Sequence, residues 1–368
     1  MMKKILLFFA LLLTITACKK EETKINEKPT IKIGAILPLS GDGAEAGNAA
    51  KGGLDFILEK MSSNDLKYNY EFVFEDNQMQ PRTTSIVANK LAKINKVDAL
   101  FSIWNMAGNI VADFADKNNL FSFTCSYGEK STVGKYNYNF VSSLDSVAKV
   151  LVDELKKNGV SNVALFTSNG HVELTEALLK ELEKQQVNLV FNEMANWGGT
   201  DFKMSIAKAV QKKPEFYIVL DITPAPYVFM KQLKEFTGRN DNVTTIDAFG
   251  EMTFNTRQIA DGLWFVPAAF REPSTFVDKL SEEKNIKATS CTSQIAAALE
   301  VFISAYEGAK VEEGAQTPTK EAVNEWIWQN VKDFSTVAGD ATVIRDGLFQ
   351  TKTEIKKIKN SKIVNITN

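Results

Sequence analysis

Histidine and cysteine are nearly missing from this chain of 368 residues, which has one histidine, His171, and three cysteines, Cys18, Cys125 and Cys291. The lone histidine excludes a His-rich metal site. The lack of any C-x-x-C pair removes the zinc and dithiol motifs built on that spacing, and no cofactor is expected. Neither sign of charge is in large excess, since 43 Lys and Arg face 45 Asp and Glu. No basic patch stands out, so nucleic acid is not an expected partner. After the first residues no apolar run approaches the ~20 residues that cross a bilayer. Low-complexity tracts, solenoid periods and a G-x-S-x-G elbow are missing as well, which argues against a repeat array and an α/β-hydrolase site.

The N-terminus does carry a signal. Lys3 and Lys4, the run "ILLFFALLL" and the closing "ITAC" have the layout of a secretory signal peptide over residues 1–17. Ile15, Thr16 and Ala17 before Cys18 resemble the bacterial lipobox. That resemblance implies cleavage before Cys18, a diacylglycerol thioether on its sulfur and an acyl chain on its amine. Two or more chains make a stable anchor. The rest of 18–30, "KKEETKINEKPT", reads as a charged tether. Losing Lys3 and Lys4 takes the net charge from -2 to -4. The expected location is the cell envelope, lipid-anchored, on the periplasmic face of a membrane or at the cell surface. Cys125 and Cys291 could pair in such a compartment, but each lies in a segment that reads as buried, so two separate apolar thiols are expected.

Beyond residue 30, short apolar strands alternate with amphipathic helices. "IKIGAILPL" is followed by a helix carrying Ala50, Leu54, Ile57, Leu58 and Met61 at 3.6-residue spacing. "YEFVFEDN", "VDALFSIW" and "LFSFTCSY" repeat the cycle, and a second run starts near residue 145 with "NVALFTSN", "VNLVFNEMAN", "EFYIVLDI" and "TTIDAFG". Nearly unbroken apolar strands between helices predict parallel sheets covered on both faces, an α/β fold of two doubly wound lobes. Two long helices follow, then a tail that alternates like antiparallel strands with a turn at Asp346-Gly347.

The stretch "LPLSGDGAEAGNAAKGG" places Gly41, Gly43 and Gly47 between a strand and a helix. A dinucleotide enzyme would use such glycines around a pyrophosphate, with Glu75 or Asp76 on the ribose. Pro38 and the long "SGDGAEAG" segment do not make that compact turn, and a lone glycine pattern is a weak signal. A helix N-terminus approached closely by a carboxylate ligand needs only part of the same geometry.

In order and spacing, four stretches resemble the leucine/isoleucine/valine-type periplasmic binding proteins: "IKIGAILPLSGDGAEAGNAAKGGLDFILEKM", "YEFVFEDNQMQPRTTSIVANKLAKINKVDALFS", "ANWGGTDFKMSIAKAVQKKPEFYIVLD" and "IADGLWFVPAAF". The resemblance implies a type I fold with a multi-crossover hinge, its first lobe formed by 31–144 plus 267–338 and its second by 145–266 plus 339–368. It implies a monomeric carrier without catalysis. Such a carrier closes on a small polar ligand, an amino acid, amide or similar, and delivers it to an ABC permease.

Ligands in doubly wound sheets sit beyond the carboxyl ends of strands. Those ends offer Trp104, Asn105 and Met106, then Ser126 and Tyr127, then Asp221, and finally Asp247 and Glu251. Asn105 falls where the family binds a carboxylate, although a helix N-cap is the competing role. Trp104 could stack on the ligand or fill the core. Ser126 and Tyr127 fall where the family holds carboxylate and ammonium. Among the acids Glu251 matches the family best as the ammonium partner, with Asp221 second. His171 falls where the family has an aromatic contact, or it is an exposed helix start. The family's aromatic residue in the first turn is replaced by Gly43, which could enlarge the pocket or let Trp104 fill it, and its early disulfide is missing, so leucine-type specificity is not implied.

Two other functions compete. A secreted hydrolase could use Cys125 or a serine as nucleophile with His171 as base, but the histidine follows a strand of the other lobe. An envelope receptor that senses the ligand would share fold and site with the carrier.

Overall fold

The computed structural model describes residues 28–366 except 128, 197, 252–253, 269–273 and 352, and the side chains of 129, 251, 254–255 and 345. The expected signal peptide, Cys18 and most of the tether therefore lie outside the described residues.

The first lobe opens with β1 (Thr30–Leu37), α1 (Ala44–Ser62), β2 (Asn69–Asp76), α2 (Pro81–Lys90), β3 (Ala99–Ile103), α3 (Asn105–Lys117), β4 (Phe121–Cys125) and β5 (Asn137–Asn139). Its sheet runs β2-β1-β3-β4-β5, all parallel. The strands are apolar on both faces because both are covered. Ile33, Ala35, Phe101 and Phe123 pack beneath α1 and a later helix, whereas Ile36 and Leu100 meet Val87, Leu91 and Val111 of the α2 and α3 side.

The second lobe repeats the plan with α4 (Leu144–Lys157), β6 (Asn162–Ser168), α5 (Val172–Lys184), β7 (Asn188–Ala195), α6 (Lys203–Gln211), β8 (Phe216–Leu220), α7 (Ala225–Thr237) and β9 (Val243–Thr244). Its parallel sheet runs β7-β6-β8-β9. Two short helices, α8 (Ala248–Glu251) and α9 (Phe254–Arg257), and β10 (Trp264–Phe265) complete this pass.

The chain then returns. Helices α10 (Thr275–Lys284), α11 (Thr292–Gly308) and α12 (Lys320–Asn330) cover the first sheet. α11 is apolar almost all round, and Leu299, Phe302 and Ile303 are fully buried, each contributing about 1.5–3 kcal/mol. The tail forms β11 (Phe334–Thr336), β12 (Gly339–Val343) and β13 (Phe349–Thr351), then β14 (Lys356–Lys359) and β15 (Lys362–Asn365). β12 and β13 pair antiparallel around a turn in which Asp346 and Gly347 both have positive φ.

Two expectations need correction. Ala341, Val343 and Phe349 are buried in the first lobe's core, and Ile358 and Ile363 in the second's. The last crossover therefore follows β13 instead of lying at 338/339. Cys125 and Cys291 are not separate thiols; they form a disulfide across 166 residues of sequence. Burial at both ends is the same whether the sulfurs pair or not, so the segments alone pointed to the simpler state.

Candidate functional site

Strand order reverses between β1 and β3 in the first sheet and between β6 and β8 in the second. Crevices open at such switch points. The first places the 38–43 loop beside Trp104 and Asn105, and the second places His171 beside Asp221.

Trp104 has φ 69, a left-handed conformation that is unfavourable for a bulky side chain. The surroundings hold it there. Its N–H donates to the Cys125 carbonyl at 2.7 Å, and its own carbonyl accepts from Gly108 at 2.8 Å, starting α3. The indole is half-buried against the first lobe's core.

Asn105 is the first residue of α3 and does not cap it; Trp104 holds that position. Its Oδ1 accepts from the Tyr127 N–H at 2.7 Å and the Ser126 hydroxyl at 3.2 Å. A backbone N–H only donates, so the oxygen end of the amide must face it. The Nδ2 donors are thereby left for whatever lies on the other side. Ser126 is itself pinned. Asn139, at the end of β5, accepts from its N–H at 3.0 Å and donates to its carbonyl at 2.6 Å. Gly108 permits this packing, because a Cβ there would come within 3.0 Å of the Ser126 side chain.

Tyr127 reaches across to the second lobe. Its hydroxyl donates to the Asp247 carboxylate, its ring lies 6.3 Å from that of His171, and it packs against the cores of both lobes. Asp247 is buried, and its other oxygen accepts from Ala268 N–H at 2.6 Å.

His171 is half-buried at the start of α5, with Nδ1 3.2 Å from the Ser168 hydroxyl. Burial lowers its pKa, and the negative charge of Asp221 only partly offsets this. Asp221 is committed to backbone of its own and the neighbouring β7–α6 loop, accepting from the N–H groups of Gly198, Gly199 and Ile222 at 3.1, 3.3 and 2.8 Å. Met106 packs toward α2, its sulfur 3.7 Å from the Thr84 hydroxyl. Glu251 closes α8, and its side chain lies outside the described residues.

The structure thus brings together Trp104, Asn105, Ser126, Tyr127 and His171, with Asp221 close behind His171. Asn139 and Asp247 complete the group. Asp247 was visible as a strand-end acid, whereas Asn139 carried no signal beyond a polar residue in a buried strand. A cavity of about 500 Å³ adjoins the Ser126–Tyr127 turn on its β5 side, lined also by Lys130, Asn139, Ser142 and Asp346. It falls in the usual size range for small-ligand pockets, but it does not extend to Trp104, Asn105 or His171.

Serine, histidine and aspartate stand in sequence here, yet Ser168 is fully buried. Cys125, in its disulfide, offers no thiolate. The glycine-rich turn is also explained without a nucleotide. Asp76, placed to meet a ribose, accepts instead from Leu39 N–H, Gln78 N–H and the Ser40 hydroxyl at 2.9, 2.9 and 2.5 Å. Burial pushes its pKa up, but these bonds prevail and hold it below the ordinary value. Among the described residues no cluster of His, Cys, Asp and Glu could hold a metal ion, and no helix is long and apolar enough to cross a membrane.

Comparison with known proteins agrees with this architecture. The family described as periplasmic binding protein matches residues 30–362. The branched-chain amino acid transporter substrate-binding protein LivJ of Streptococcus pneumoniae, solved with isoleucine, is 18% identical over 91% of this chain and 97% of its own, with a TM-score of 0.76. The leucine-binding protein LivK of Thermotoga maritima is 19% identical over 92% and 98%, with a TM-score of 0.76. A solute-binding protein of an R. palustris ABC transporter, solved with 4-hydroxybenzoate, is 16% identical over 92% and 96%, with a TM-score of 0.77. No curated protein matches the chain. With two switch-point lobes and a family match spanning nearly all the described residues, the chain belongs to the periplasmic binding protein family.

Proposed function

We propose that the chain is a lipid-anchored solute-binding protein of the cell envelope, without catalytic activity. In this reading it holds a small carboxylate-bearing ligand between its lobes and delivers it to an ABC permease as a monomer. The observation that carries it is the hydrogen-bond chain Asn105–Ser126/Tyr127–Asp247, which joins two strand tips of one lobe to a buried acid of the other. Isoleucine and 4-hydroxybenzoate, the ligands of two structural relatives, share a carboxylate and little else. The Asn105 Nδ2, held beside the Ser126–Tyr127 turn, supplies donors for that group, Trp104 and Tyr127 offer apolar surface for its body, and Asp247, Asp221 or Glu251 meet an ammonium where one is present.

The Cys125–Cys291 disulfide supports an oxidising compartment, and Cys18 supplies the lipid attachment. A ligand-sensing receptor of the same fold would use the same cleft and differ only in its partner.

A thermal-shift screen of the mature chain with amino acids, aromatic acids and their methyl esters tests this reading. Stabilisation by a free acid and not by its ester is expected. Equal stabilisation by both, or none by any acid, contradicts the reading.

A further inference from the structure

The sulfurs of the Cys125–Cys291 disulfide take no part in the hydrogen-bond chain of the candidate site, yet the link ends one residue from Ser126. Cys125 closes β4, and its carbonyl accepts from Trp104 N–H at 2.7 Å. Cys291 occupies the capping position of α11 in a left-handed conformation, φ 70, without a side-chain cap bond. Both cysteines are buried.

The start of α11 is poorly satisfied by itself. Left-handed backbone is unfavourable for cysteine, and such residues persist where the surroundings over-determine them. Gln294, in the first turn, is 1% exposed, and neither Oε1 nor Nε2 has a hydrogen-bond partner. The non-covalent tie nearby is the reciprocal pair Thr289 and Thr292, with bonds of 2.9 and 3.2 Å. The covalent link therefore holds an otherwise unfavourable turn against the tip of β4.

The tip is thus fixed from three directions, by Asn139 of β5, by Trp104 and Asn105 of the β3–α3 turn, and by α11 through sulfur. We infer that the disulfide is a positioning element of the ligand site, holding the Ser126–Tyr127 turn in its binding geometry. The inference rests on the reading of that turn as ligand-holding. Cutting the link lets the first turn of α11 relax, and the β4 tip loses one of its three supports while the sheet beneath keeps its ladder.

Hydrogen exchange on the mature chain, with Cys125→Ala/Cys291→Ala and Cys291→Ser beside it, tests the inference without knowledge of the ligand. The amides of Ser126 and Tyr127 should exchange at least tenfold faster in both variants, with Phe101 and Ser102 of β3 unchanged. In parallel, affinity for whichever of isoleucine, benzoate or 4-hydroxybenzoate binds the unmodified chain should fall at least tenfold. If exchange rises uniformly with lost stability, or the turn exchanges as before, the disulfide is a general staple and the inference fails. If the unmodified chain binds none of the three, the ligand reading is at fault, and the exchange pattern still decides the positioning role. Should the double variant not fold, the larger side chain of Cys291→Ser provides the same comparison.

Discussion

The Tyr127 hydroxyl of the first lobe donates to the Asp247 carboxylate of the second. The two residues are 120 positions apart, and each is anchored by its own lobe, Tyr127 through Asn105 and Asp247 through Ala268. Tyr127→Phe keeps the ring, with its packing on both cores, and removes the hydroxyl that makes this bond. A hydrogen bond to a charged group contributes about 1.5–3 kcal/mol, so the closed arrangement should weaken. The expected outcome is a larger radius of gyration in small-angle scattering and a Kd raised about tenfold. Unchanged scattering and affinity would show that the bond does not couple the lobes.

Asn105 separates structure from recognition. Asn105→Ala strands the Tyr127 N–H, at a cost of about 1–3 kcal/mol, and should lower both Tm and affinity. Asn105→Asp keeps an acceptor for that N–H and for Ser126 but puts negative charge where a ligand carboxylate is expected. It should fold with near-normal Tm and lose carboxylate affinity by at least tenfold. If Asn105→Asp binds acids normally, the amide is purely structural.

Much of this site was legible before the structure, for a physical reason. Parallel strands buried on both faces announce themselves as apolar runs, and the residues after each run are the strand tips. That logic named Trp104, Asn105, Ser126 and Tyr127, and the family resemblance added His171. It could not separate Met106 from Asn105, because the side to which a helix-start residue turns depends on packing, here against Thr84. Nor could it show that Asp221 is committed to the Gly198–Gly199 loop. The crossover after β13 was hidden because alternating strands look alike whichever lobe buries them.

His171 sets a pH dependence. Burial lowers its pKa in the folded chain below the ordinary 6.5, so below about that pH the unfolded chain binds more protons than the folded one. Stability should therefore fall as pH drops through 6.5 and flatten once the lower folded pKa is passed. His171→Gln should reduce that slope in denaturant titrations between pH 7 and 5. An identical slope in both proteins would exclude the histidine as its source.

Gly47 tests the account of the glycine-rich turn. A Cβ there would sit 2.0 Å from the Pro38 carbonyl oxygen. Alanine gains about 1 kcal/mol of helix propensity over glycine, but forced repacking costs about 1–3 kcal/mol. Gly47→Ala should be destabilised overall in urea unfolding, whereas a stabilised variant would mean that the turn does not need the close approach.

Where the ligand sits can be seen in a crystal structure of the mature chain, purified without refolding and grown with the acid that stabilises it most. One ligand should lie between the lobes, its carboxylate within hydrogen-bond distance of the Asn105 amide or the Ser126–Tyr127 turn. A ligand bound elsewhere, or a closed Tyr127–Asp247 contact with no molecule between the strand tips, would contradict it.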